Sequence, residues 1–309
     1  MDIIKTTAVV GTCARERSAF ARDLAALTGD ALWSAGRLGL VPDPIDEAAS
    51  LIPWLRIPGA DLDTSAILEF PASVPVEEII ARLAETPEGG RLTRLICVVD
   101  VAHLLADLAS ESYLPVPADG PGVDYTGIAA ITATQLEYST HVALVNTEYL
   151  EAAELGRITG LITALAPEAT LLLETPKDSG PASTIPTHSE RPGWVHVLND
   201  DSVPVAHPSV SVLRWEQIRP LHPRRFVELF EDHIEHGHFG RLVRSAGFLR
   251  LSTRPGVTAG WQHVGSLMSL EPMQDSATLQ PDDELLALGQ DLALIGLDLD
   301  EPALRGCAG

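Results

Sequence analysis

Apolar runs recur through the first half of the chain, and stretches with helical spacing separate them. Thr6-Thr7-Ala8-Val9-Val10 reads as a short buried strand. Arg15 to Leu27 then places Phe20, Leu24 and Leu27 on one helical face. Ser65 to Glu69 reads as a strand, and Val76 to Leu83 as a helix with Pro75 at its start. Leu95 to Asp100 is a second buried strand, Thr126 to Ser139 a helix, and His141 to Asn146 a strand. Glu148 to Leu165 follows as a helix and Ala169 to Leu173 as a strand. This alternation predicts a mostly parallel sheet flanked by helices over residues 1–175. Residues 176–192 break the rhythm with Pro176, Pro181, Pro186 and Pro192, and read as a linker. Residues 193–309 then change character. Val210 to Ile218, Leu242 to Ser252, Trp261 to Leu270 and Leu292 to Leu297 read as strands, and Pro223 to Ile234 as a helix. That pattern predicts a smaller α+β domain built on an antiparallel sheet.

Composition agrees with two globular domains. The chain has 309 residues, 45% hydrophobic but only 5% aromatic, so the cores are aliphatic. No run of ~18 apolar residues predicts a membrane span. Met1 to Lys5 lacks the basic-then-apolar pattern of a signal peptide, so a cytosolic protein is expected. Cys13, Cys97 and Cys307 lie far apart, which argues against a disulfide framework or a thiolate zinc knuckle. The formal net charge is −22 and repels nucleic acid at long range, so neither DNA nor a membrane is an expected partner.

The turn after the first strand is where a phosphate-binding loop, Gly-x-x-x-x-Gly-Lys-Ser/Thr, belongs. Here it reads Gly11-Thr12-Cys13-Ala14-Arg15-Glu16-Arg17-Ser18. Gly11 and Ser18 fit. Glu16 stands at the second glycine and Arg17 at the lysine. Such loops hold phosphate with exposed backbone N–H groups and a cation. A glutamate there brings negative charge and bulk, and both oppose phosphate.

Further segments carry a resemblance. Glu69 and Pro75, in Ile67-Leu68-Glu69-Phe70-Pro71-Ala72-Ser73-Val74-Pro75, are similar to a switch segment ending ETSGxAxP. Val98-Val99-Asp100 resembles a VVD strand, and Gln135-Leu136-Glu137-Tyr138-Ser139 the helix end before a guanine loop. That loop, normally Asn-Lys-x-Asp, reads Asn146-Thr147-Glu148-Tyr149. Arg219 to Phe226 resembles RPFHPxRF, Val243 to Phe248 resembles VxRSxGF, and Asp291 to Asp300 resembles xELVFIGxxLD. The chain therefore resembles the CobW-like P-loop GTPase family across nearly its whole length. The resemblance implies a degenerate P-loop NTPase-like domain followed by a CobW C-terminal domain. It implies GTP with magnesium, and zinc, as ligands to test, with Gly11, Arg17, Ser18 and Asn146 as the remnants of the nucleotide site. The family's cysteine metal motif is absent. The second half resembles an actinobacterial branch associated with zinc starvation, through stretches such as His236 to Phe248 and Leu288 to Asp300. Its best-understood member recruits a hibernation factor to the small ribosomal subunit.

Two other clusters stand out. His233 and His236 share a helical spacing, and His238 follows Gly237, so the three are candidate zinc ligands. Equally, they read as a solvated helix end. Glu69, Asp100 and Glu137 have no spacing that demands acid–base chemistry, and no Gly-x-Ser-x-Gly elbow or His-Glu-x-x-His motif is present. Between Val205 and Pro255 eight arginines face five acids, a net of +3 in a chain that is otherwise acidic. Arg219, Arg224, Arg225, Arg241 and Arg244 are candidates for contact with RNA or a protein partner, because guanidinium pairs well with phosphate. Three functions are open on this reading: a non-catalytic recruitment factor at the ribosome, a GTP-dependent zinc metallochaperone, and a scaffold that uses no nucleotide. The decayed loop favours the first and third, so catalysis is not expected.

Overall fold

The computed structural model describes residues 4–55, 65–84, 90–117, 122–173, 191–254, 256–273 and 289–307. Two compact units form. The first is built from described residues within 1–107, 112–151 and 168–190, and the second from those within 108–111, 152–167 and 191–309. Most of the expected linker, 176–192, lies outside the described residues.

The first unit contains strands β1 (Ile4–Val10), β2 (Ala31–Trp33), β3 (Ser65–Glu69), β4 (Gly90–Asp100), β5 (Tyr113–Pro117), β6 (Val123–Gly127), β7 (His141–Val145) and β8 (Thr170–Leu173). Its helices are α1 (Ala14–Thr28), α2 (Ala35–Leu38), α3 (Pro44–Leu51), α4 (Val76–Leu83), α5 (Leu104–Asp107) and α6 (Ile128–Glu137). Six strands make one parallel sheet in the order β2-β3-β1-β4-β7-β8. Val9, Ile67, Ile96, Val98 and Ala143 from this sheet pack with Phe20 and Leu24 of α1, as the helical spacing of those residues predicts. The chain leaves β1 toward one side of the sheet and returns to its other side at β4. Ligand crevices in open parallel sheets form at the carboxyl ends of strands around such a reversal.

The second unit contains α7 (Ala152–Leu165), α8 (Gly193–Leu198), α9 (Pro223–Glu228) and α10 (Glu301–Cys307). Its strands β9 (Val210–Gln217), β10 (Arg241–Leu249), β11 (Ala259–Val264), β12 (Leu267–Pro272) and β13 (Gln290–Leu297) form an antiparallel sheet ordered β12-β11-β10-β13-β9. Phe226 and Phe230 each place their rings 4.9 Å from Trp261, whose indole N–H donates to Ser245 Oγ at 3.0 Å.

The fold class is therefore the one the apolar pattern predicts, a parallel-sheet unit followed by a smaller antiparallel one. Three details differ. Residues 152–165 read as part of the first domain, but α7 groups with the second unit. Trp261 to Leu270 reads as one strand, but it is a hairpin turning at Gly265, which has a φ of 61°. The β5–β6 hairpin escapes the pattern because Pro115 and Pro117 depress the strand signal. No helix among the described residues is long and apolar enough to cross a membrane.

Two buried histidines, His141 on β7 and His263 on β11, make the fold acid-sensitive. Burial, then Arg94, lowers the pKa of His141 to about 4. Burial, then Arg244, lowers that of His263 to about 4. The unfolded chain takes up both protons near the ordinary value of 6.5. Stability is thus complete above that value and falls as pH drops toward the folded values, by about 2 kcal/mol per histidine at about pH 5. Urea midpoints at about pH 7.5 and about pH 5 should separate accordingly. Coincident midpoints would contradict this assignment.

Candidate functional site

The carboxyl ends of β1, β3, β4 and β7 carry Gly11, Glu69, Asp100 and Asn146. These are the positions the sequence singles out. Val10 pairs with Cys97 in the β1–β4 register, so Cys13 and Asp100 sit the same number of residues beyond a matched pair. Gly11 has a φ of 147°, and a Cβ there would fall 2.5 Å from the carbonyl oxygen of Val98. Only glycine suits both constraints.

The phosphate loop is closed. Helix α1 begins at Ala14, three residues after Gly11, and the Arg17 N–H already donates to the Cys13 carbonyl at 3.0 Å. That N–H belongs to the helix and is not free to cradle a phosphate. The Arg17 side chain folds back as well. It is 4% exposed, donates Nε to Glu69 Oε1 at 3.1 Å, and donates Nη1 to the Gly11 carbonyl at 2.5 Å. The Ser18 hydroxyl donates to the same Glu69 oxygen at 2.5 Å, and the Ala35 N–H to Glu69 Oε2 at 3.0 Å. The arginine and hydroxyl that would face phosphate and magnesium are both spent on one buried carboxylate.

The loop is also electronegative. The carboxylate of Asp107 accepts from the Thr12 hydroxyl at 3.2 Å and from the Cys13 thiol at 3.7 Å. One ligating atom each from Cys13, Glu16 and Asp100 lies within 4.8 Å of the others, and no other such group of three occurs among the described residues. Burial, then Asp107, Asp100 and Glu16, pushes the Cys13 thiol up to about 11. A thiol at a helix N-terminus ordinarily shifts the other way. Here burial comes first and the three acids add to it, and the same acids would oppose a polyphosphate.

Beside the loop lies a cleft of about 450 Å³ whose walls include Arg15, Glu16, Asp23, Asp100, Asn146 and Tyr149. Asn146 adopts φ 61° and donates Nδ2 to Asp100 Oδ2 at 2.8 Å, so its amide is directed at the acid rather than outward. Tyr149, in the position of the base-reading aspartate, is 71% exposed.

In the second unit α9 continues into a π-helical turn, Leu229–Ile234. His233, His236 and His238 are exposed, with the His238 ring 5.4 Å from that of His233 and 6.0 Å from that of His236, but their ligand atoms do not all come within 4.8 Å of one another. His233 and His238 approach with Nδ1 atoms 3.2 Å apart, whereas His236 Nδ1 meets the Glu231 carbonyl at 2.9 Å.

The arginines divide. Arg244 does not face a partner: it is 5% exposed, on the central strand β10, and donates to the Ser245 carbonyl at 3.1 Å. Arg214 is held by Asp200, Glu216 and Asp291. Arg241 is exposed, and Arg224 is exposed but paired with Glu228 at 2.9 Å. Arg219 and Arg225 are exposed and have no acid partner among the described residues. Both line a cavity of about 300 Å³ with an apolar floor that includes Trp215, Leu221, Phe226 and Leu294.

Residues 210–306, the stretch from β9 to α10, match the family of the cobalamin synthesis protein cobW C-terminal domain. The chain is also 24% identical over 204 residues to zinc-regulated GTPase metalloprotein activator 1 of Dictyostelium discoideum, covering 62% of this chain and 42% of that protein. The chain thus spans less than half the length of that curated relative. Among solved structures it is similar to the Zn(II)-bound YjiA GTPase of E. coli, with 14% identity, a TM-score of 0.38 and coverage of 99% and 98% of the two chains. A Zn(II)-bound triple mutant of that GTPase gives a TM-score of 0.37 at 14% identity. Residues 210–306 therefore resemble that C-terminal domain. Within that setting, Cys13 with Glu16 is the pair that sequence reasoning passed over. Glu16 was visible as a misfit in the loop, but Cys13 stands at an unrestricted position of the motif, and Asp100 joins them only through the β1–β4 register.

Proposed function

We propose that this CobW-like protein binds and recruits a partner without turning over GTP, and that it brings a hibernation factor to the small ribosomal subunit when zinc is scarce. One observation carries the first half of this reading. Arg17, the residue in the position of the phosphate-binding lysine, is buried in an ion pair with Glu69. The second half rests on the resemblance of residues 193–309 to the zinc-starvation branch. Arg219 and Arg225 beside an apolar cavity favour it, because they suit an anionic partner such as ribosomal RNA. Purified protein should sediment with small subunits at moderate salt, and less as salt rises through counterion release. Its failure to sediment at any salt would remove the ribosome from the proposal.

A second reading is a GTP-dependent zinc metallochaperone. The description of the Dictyostelium relative favours it. Tight, selective GTP binding would raise it above the first.

A further inference from the structure

We infer that the loop after β1, having lost its fit to phosphate, forms a divalent-cation site that takes zinc or a similar ion through the Cys13 thiolate and the carboxylates of Glu16 and Asp100. Their ligating atoms already lie within 4.8 Å of one another. Asp107 adds a further carboxylate, 3.7 Å from the Cys13 sulfur. Asp100 is met by the Ala102 N–H and Asn146 Nδ2, with His103 Nε2 at 3.9 Å, and a divalent cation would further offset the charge of the carboxylates gathered here.

An independent feature points the same way. Gln135 of α6 is 2% exposed, and neither its amide oxygen nor its amide nitrogen has a hydrogen-bond partner among the described residues. A buried amide left unmet is costly, so a partner is expected there. It opens on a cavity of about 10 Å³ that Thr12, Asp100 and Asp107 also line. That volume suits a single water or ion-sized group. The amide therefore shares a cavity wall with Asp100 and Asp107, where it would position a bound ion or its water.

The donor set selects the ion class. A thiolate with carboxylates prefers zinc or cobalt to magnesium, which demands oxygen ligands in octahedral array. The site is separate from the three histidines of the second unit. It also stands whether or not the ribosome is the partner, because binding is measured on the purified chain alone.

The test uses full-length protein freed of metal, with Co(II) as a spectroscopic probe and Zn(II) in competition with a chromophoric chelator. One equivalent of Co(II) should give a thiolate-to-cobalt charge-transfer band. Cys13→Ser should abolish the band, with folding checked by circular dichroism. Glu16→Gln, at the helix surface and less disruptive than Asp100→Asn, should weaken Zn(II) binding at least ~10-fold, and Gln135→Leu by a similar factor. Changing His233, His236 and His238 together to Ala should leave the band intact, and millimolar Mg(II) should not displace the probe. A band that survives Cys13→Ser, a band lost with the histidines, or no binding of either metal would overturn the site. A Gln135→Leu variant of unchanged affinity would remove Gln135 from it.

Discussion

Replacing Arg17 by alanine should lower the unfolding free energy of the ligand-free protein by about 3–5 kcal/mol. The physical reason is what remains. Glu69 is 1% exposed and would keep its charge with only the Ser18 hydroxyl and the Ala35 N–H to meet it. The Gly11 carbonyl would lose its Arg17 donor as well. Glu69→Gln should also destabilise. The double variant should lose less than the sum of the singles, because the two residues act as one unit. Denaturant melts check this directly. An arginine held out for phosphate would behave differently: its removal would leave the ligand-free protein unchanged and weaken only nucleotide binding. A loss under about 1 kcal/mol would therefore reopen the loop as a phosphate site.

The second large effect concerns the surface of the second unit. Changing Arg219, Arg224 and Arg225 together to Glu should abolish co-sedimentation with small ribosomal subunits while leaving circular dichroism unchanged. All three are exposed, and among the described residues only Arg224 has an acid partner, an exposed one whose loss costs little. A net-acidic protein still offers RNA this patch, because charges beyond about 8–10 Å are largely screened at cellular salt. Reversing three acids of the first unit should matter far less. Arg244 is excluded from the set because its burial would confuse lost binding with lost folding. Normal sedimentation of the triple variant would detach the arginines from the ribosome and leave a scaffold with another partner.

Local signals carried the fold far. Val76 to Leu83 and Ser65 to Glu69 were legible residue for residue, because Pro75 marks the helix start and five apolar-rich positions mark the strand. Periodicity failed where the backbone leaves the standard period. The spacing of His233 and His236 assumes an α-helix, but the Glu235 N–H donates to the Phe230 carbonyl and the His238 N–H to that of His233, which shifts the register. Counting arginines failed for another reason. Strand β10 is buried along nearly its whole length, so Arg244 has no solvent face to occupy. In the candidate site, Glu16 and Arg17 announced themselves as misfits in the loop. The bond from Arg17 to Glu69 was not legible, since it depends on β1 lying beside β3.

The central claim is that the phosphate loop is closed and the protein works without GTP. Isothermal titration of the purified chain with magnesium and GTP tests it most directly, with ATP as the control. The account predicts no saturable heat below about millimolar nucleotide and no preference for guanine. Saturable binding at low micromolar GTP, with clear selectivity over ATP, would contradict it.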